Sequence, residues 1–173
     1  FYQIVGQEVH MIDYIEGGGN GFPYFIKVLQ DKKYIYGKHF APHDIAVSDY
    51  SITVNQSRLE VARDLGIEFE IVPKLSIQDG IDAGKRFFKK LYVDKVKCAE
   101  FLEAIPQYTR IYDEVLRTFK NEPLHDWTSH FADEHRYASL VETQFNNEQY
   151  EMEINQIEQN RYERIRNSEA QFF

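Results

Sequence analysis

Apolar positions along the chain alternate in some stretches and recur at helical spacing in others, and these two periods divide most of it into elements. Residues 1–5 and 8–16 read as two strands joined at Gly6-Gln7, a short hairpin signal. The glycine run from Gly17 to Gly21 breaks the chain, and residues 23–32 then carry Phe25, Ile26, Val28 and Leu29 on a helical face. Residues 34–41 read as a strand closed by Pro42, which puts His43 and Asp44 at its C-terminal end. Functional side chains often project from such strand ends in open α/β sheets. Residues 49–57 are polar and read as a loop; 58–65 form a short helix ended by Gly66, and 67–72 alternate as a strand until Pro73.

Ser76 with an acid at Asp79 marks a helix start, and that helix is expected to run to about Leu91. A second helix is expected over 95–105, stopped by Pro106. Residues 108–119, rich in aromatic and β-branched side chains, read as one extended segment, with 120–123 as a turn. The densest group of ionisable side chains follows, His125-Asp126-Trp127-Thr128-Ser129-His130-Phe131-Ala132-Asp133-Glu134-His135. Asp126 is the expected N-cap of a helix reaching about Leu140. On it His130 and Asp133, three residues apart, share a face, so that an imidazole and a carboxylate could reach one ion. The same residues would equally suit an ordinary capped amphipathic helix.

Composition narrows the class. At 173 residues and 43% hydrophobic, the chain is expected to form one domain with a real core. One cysteine, Cys98, gives no internal disulfide framework and no cysteine-based zinc site, which points to a reducing compartment. No apolar run is long enough for a bilayer helix and no signal peptide is recognisable, so a soluble protein is expected. The glycine run lacks a Gly-Lys-Ser/Thr ending, which excludes a phosphate loop. The net charge of -8 opposes generic nucleic-acid binding, yet residues 85–97 hold Lys85, Arg86, Lys89, Lys90, Lys95 and Lys97 against Asp94 alone. A solvated helix face and a DNA-contacting face both fit that run. Residues 142–173 turn to Gln, Asn, Glu and Arg and form a charged tail, helical or disordered, that cannot build its own core.

Four stretches in this order, Tyr36-Gly-Lys-His-Phe-Ala-Pro-His-Asp44, Ser57-Arg-Leu-Glu-Val-Ala-Arg63, Val72-Pro-Lys-Leu-Ser-Ile-Gln-Asp-Gly-Ile81 and the stretch from His125 to Tyr137, resemble the C-terminal nuclease domain of the large terminase subunits of tailed bacteriophages. The resemblance covers nearly all of residues 1–141. It implies an α/β fold of the ribonuclease H-like kind, a mixed sheet flanked by helices, whose strands lie in the order third, second, first, fourth, fifth. Residues 1–5, 8–16 and 34–41 then correspond to the second, third and fourth strands, and the first, central strand would precede Phe1. The resemblance further implies an endonuclease that cuts concatemeric viral DNA with two Mg²⁺ or Mn²⁺ ions. Asp44 matches the acid after the fourth strand, Asp133 the acid of the last helix, and His130 a histidine ligand of some members; another essential aspartate lies on the first strand.

Double-stranded DNA, the portal, the small terminase subunit and an upstream ATPase domain are the implied partners, in the cytoplasm of a bacterial host and without a membrane. Lys85, Arg86, Lys89 and Lys90 are candidate DNA contacts. The chemistry suits these residue types: two divalent ions about 3.5–4 Å apart can aim a hydroxide at phosphorus and relieve charge on the leaving oxygen, and carboxylates suit hard ions. Asp44 also fits a turn cap after Pro42, Asp13 fits a structural or exposed place on the third strand, and His43 fits a supporting role beside Asp44. Asp126 fits a helix cap or a water-mediated ligand. A second reading is a non-catalytic remnant or docking module that binds portal or DNA; a ribonuclease H-like resolvase is a third.

Overall fold

The structure is a computed structural model that describes residues 1–47, 56–145, 156 and 159–164. It is a mixed α/β fold in which small sheets pack against helices. Strand β1 (Tyr2–Val5) runs antiparallel to β2 (Glu8–Met11), and Gly6 at φ 62° makes the tight turn that a residue with a Cβ would resist. β2 alternates as a half-buried strand should, with Val9 and Met11 inward. Its other edge pairs in parallel with β5 (Leu91–Val93), giving the order β1-β2-β5.

Helix α1 (Phe22–Asp31) has Pro23 in its first turn and buries Ile26 against Ala62 and Ile67. Strand β3 (His39–Ala41) lies parallel to β4 (Phe69–Ile71). Between them come a 3-10 turn over His43–Ala46 and helix α2 (Arg58–Asp64), held by the reciprocal capping box of Ser57 and Glu60. Helix α3 (Ile77–Phe87) starts at Ser76, whose hydroxyl accepts from the Asp79 N–H at 3.1 Å. Helix α4 (Ala99–Ala104) and helix α5 (Ser129–Val141) bracket a hairpin of β6 (Arg110–Asp113) and β7 (Thr118–Pro123). The main core joins Met11, Cys98, Phe101, Ala104 and Phe131, so that β2, α4 and α5 share it; Val9, Phe87 and Ala138 join β2 to α3 and α5.

Several boundaries depart from the sequence reading. β5 is a strand where the end of one helix and a gap were expected, because three residues are too few to show a period. The helix expected over 95–105 begins only at Ala99; before it, Asp94 accepts the N–H groups of Val96 and Lys97 at 2.9 Å and turns the chain. The expected single extended segment over 108–119 is a hairpin, and residues 120–123 are strand rather than turn. Its turn contains no glycine: Asp113 accepts from Val115 and Leu116, and Arg117 takes φ 51°. The strand expected over 34–41 is regular only from His39, because Tyr34 and Tyr36 direct their hydroxyls to Asp13 and to the Leu29 carbonyl. Of the polar loop expected over 49–57, residues 49–55 lie outside the described residues, as does most of the tail; residues 159–164 are helical and exposed. Among the described residues no helix is long and apolar enough to cross a membrane.

Candidate functional site

The site is built around α5. Its N-cap is Thr128 rather than Asp126, and Thr128 makes no side-chain cap bond. Asp126 instead closes the turn before the helix, its Oδ1 accepting from the Thr128 N–H at 2.9 Å and the Thr128 hydroxyl at 2.6 Å. Those bonds from Thr128 hold the Asp126 carboxyl below its ordinary range. The turn aims the start of α5 so that Phe131 enters the core while His130 stays exposed, with its ring 6.2 Å from that of His125.

A cleft of about 930 Å³ runs beside α5. One wall is β1, from Phe1 through Ile4, and the opposite wall is 38–42, which includes all of β3. Successive side chains of a strand point to opposite faces, so a cavity lined by consecutive residues of a strand meets its edge. Among the described residues, β1 is terminal in its three-stranded sheet and β3 pairs with β4. The helix contributes His130, Asp133, Glu134, Tyr137 and Ala138 to the floor.

Within the cleft the acids differ sharply. Glu134 accepts the Tyr2 hydroxyl at both carboxylate oxygens, at 2.9 and 3.1 Å. Burial pushes the Glu134 carboxyl up, and burial followed by the neighbouring Glu134 charge pushes the Tyr2 hydroxyl well up. Asp133, one residue earlier and half exposed, instead accepts Arg136 Nη2 at Oδ1, 2.7 Å away. Asp44 stands exposed in the 3-10 turn directly after β3, beside His43, which is also exposed; its backbone carbonyl accepts the Val47 N–H at 3.0 Å. The cleft thus brings His130 and Asp133 together with the end of β3, while Asp44 lies just beyond its Pro42 rim.

Asp13 is structural. It is 7% exposed and takes bonds from Lys32 Nζ, the Tyr34 hydroxyl and the Tyr14 N–H. Burial alone would raise its carboxyl, but the Lys32 and Tyr34 bonds outweigh that and hold it below the ordinary value. The basic run is dispersed. Lys85, Arg86 and Lys89 are exposed at the end of α3 and in the 3-10 turn after it, Lys85 lies 3.3 Å from Asp82, and Lys90 is paired with Glu142 at 2.8 Å.

Carboxylates with one imidazole have the right chemistry for Mg²⁺ or Mn²⁺. Among the described residues, however, no three His, Cys, Asp or Glu groups come together to hold a metal ion, and one Asp133 oxygen is taken by Arg136. These residues therefore do not by themselves fit a two-ion centre.

Four participants were not singled out from the sequence: Tyr2, Glu134, His135 and Arg136. Glu134 and His135 stand in the same dense stretch as Asp133, but only the placement of α5 separates an acid held by Tyr2 from one held by Arg136. The spacing of Gly80 and Gly84, four apart on a predicted helix, was the available signal for a close helix contact, and α5 packs there. No family model, curated protein or solved structure matches the chain.

Proposed function

We propose that this chain is the nuclease domain of a phage DNA-packaging terminase, a ribonuclease H-like endonuclease acting on double-stranded DNA. The observation that carries the reading is the cleft lined by β1 and β3, which belong to separate sheets among the described residues. With the second, third, fourth and fifth strands of the resemblance assigned to β1, β2, β3 and β4, the expected order leaves one place, between β1 and β3. The pairings β1-β2 antiparallel and β3-β4 parallel support that order, whereas β2 carries a further parallel neighbour, β5, where the order has its edge strand. His130 and Asp133 line the same cleft, and Asp44 follows β3. These three are the proposed Mg²⁺ or Mn²⁺ ligands, and the exposed Lys85, Arg86 and Lys89 the proposed phosphate contacts. The portal, the small subunit, an ATPase domain and a bacterial host cytoplasm belong to the same proposal.

The test is nicking of supercoiled plasmid in Mn²⁺. Cleavage by the protein, lost in Asp44→Ala and in Asp133→Ala with circular dichroism unchanged, is the expected result. Full cleavage in both variants refutes the assignment. Absence of cleavage with DNA or portal binding retained favours the docking module.

A further inference from the structure

Asp133 is half exposed, and its Oδ1 meets a fixed cation. Arg136 keeps only 13% of its side chain exposed, against 45% for Asp133. Its stem lies over Gly80 of α3, where a Cβ would overlap Arg136 Cγ and Cδ, so the glycine opens the trough through which the stem passes. The guanidinium carbon then sits 4.9 Å from the Tyr137 ring centre, and Nη2 reaches Asp133 Oδ1 at 2.7 Å. Arg136 Nε is buried and has no acceptor among the described residues. A guanidinium in this position cannot turn to water without giving up its packing, and Asp133 is the carboxylate that neutralises it.

We propose that Arg136 is an internal counter-ion that occupies Asp133 and weakens its capacity to hold a divalent cation. The inference rests on the nuclease reading for Asp133 as a ligand. Losing Asp133 to another cation leaves Arg136 buried with its charge uncompensated, so occupancy by a divalent ion is opposed by that cost. The positive charge itself opposes the ion as well. The contact uses Oδ1 alone, so release needs one bond to break rather than a bidentate clamp. Any event that draws the guanidinium away, such as an approaching anionic backbone, would then raise ion affinity where the substrate is present.

Mn²⁺ alone is the probe, titrated by calorimetry into the 173-residue chain and its variants, with circular dichroism as the fold control. Arg136→Gln and the apolar, trough-filling Arg136→Met are expected to bind Mn²⁺ about five- to tenfold more tightly than wild type. Arg136→Lys, which keeps a charge, is expected to recover part of the wild-type weakness. Adding Asp133→Asn to Arg136→Met is expected to cancel the gain. Unchanged or weaker binding in both Arg136→Gln and Arg136→Met, with Asp133→Asn still losing affinity, overturns the counter-ion and leaves the nuclease reading standing. Equal binding in every variant, Asp133→Asn included, removes Asp133 from the site and overturns both. Absence of binding throughout the series also overturns the counter-ion.

Discussion

His135 Nε2 donates to the carbonyl oxygen of Gly84 at 3.0 Å, across the contact between α5 and α3. A carbonyl can only accept, so the proton resides on Nε2 and leaves Nδ1 as a bare acceptor, which is buried without a partner among the described residues. The ring also stacks on Phe88 with centroids 3.9 Å apart and packs near Phe87 and Phe101. One imidazole therefore fixes how closely two helices approach and in which charge state.

Burial lowers the His135 pKa below its ordinary value, against the smaller opposite effect of the Gly84 bond. A histidine lowered on folding binds its proton more readily in the unfolded chain. Its stability contribution is therefore complete above about pH 6.5 and is lost as the pH falls below that value towards the folded pKa. Urea unfolding between pH 5 and 7 should show stability declining with acidity, and His135→Gln should flatten that part of the profile. A profile unchanged by the substitution would contradict the buried neutral imidazole.

The helix contact itself is set by glycine. A Cβ at Gly84 would stand 3.0 Å from His135 Cδ2, and one at Gly80 would overlap the Arg136 stem. Alanine normally gains about 1 kcal/mol over glycine inside a helix, but overpacking here costs about 1–3 kcal/mol. Gly84→Ala is expected to be net destabilising, because the imidazole is confined by three phenylalanine rings, whereas in an Arg136→Ala background Gly80→Ala should become stabilising. Thermal unfolding of the single and paired variants checks both signs.

Tyr2 and Glu134 tie β1 to α5. Removing the hydroxyl in Tyr2→Phe takes away the side-chain donor to the Glu134 carboxylate and is expected to cost about 1–3 kcal/mol. Glu134 has its carboxyl raised by burial, so its contribution is present below its unfolded pKa of about 4.3 and lost as the pH rises through the folded value. Glu134→Gln, which can still accept from Tyr2, should consequently be at least as stable as wild type at pH 7 and lose that advantage at pH 4. Chemical denaturation at the two pH values separates the outcomes.

Much of the local order was legible in the residues. The alternation around Val9 and Met11, the Ser57–Glu60 and Ser76–Asp79 starts, and the stops at Gly66 and Pro106 act through neighbours a few positions away, so the chain states them directly. Two of the misread signals turn on an aspartate. Asp126 caps a turn rather than the helix, since both patterns begin with an aspartate accepting from a nearby N–H. Asp113 turns a hairpin through an extended-looking segment, since aromatic residues flank the turn on both sides.

The sequence by itself determined which segments can be helix or strand, and that His130 and Asp133 share one helical face. Only the tertiary structure decided what each acid meets. Asp13, Asp133 and Glu134 are the same chemistry on paper, yet one is held by Lys32, one by Arg136 and one by a tyrosine hydroxyl. Those partners lie up to 132 positions away along the chain. Carboxylates take their charge state and availability from groups within a few ångströms, and that neighbourhood is created when α5 settles against α3 and β1.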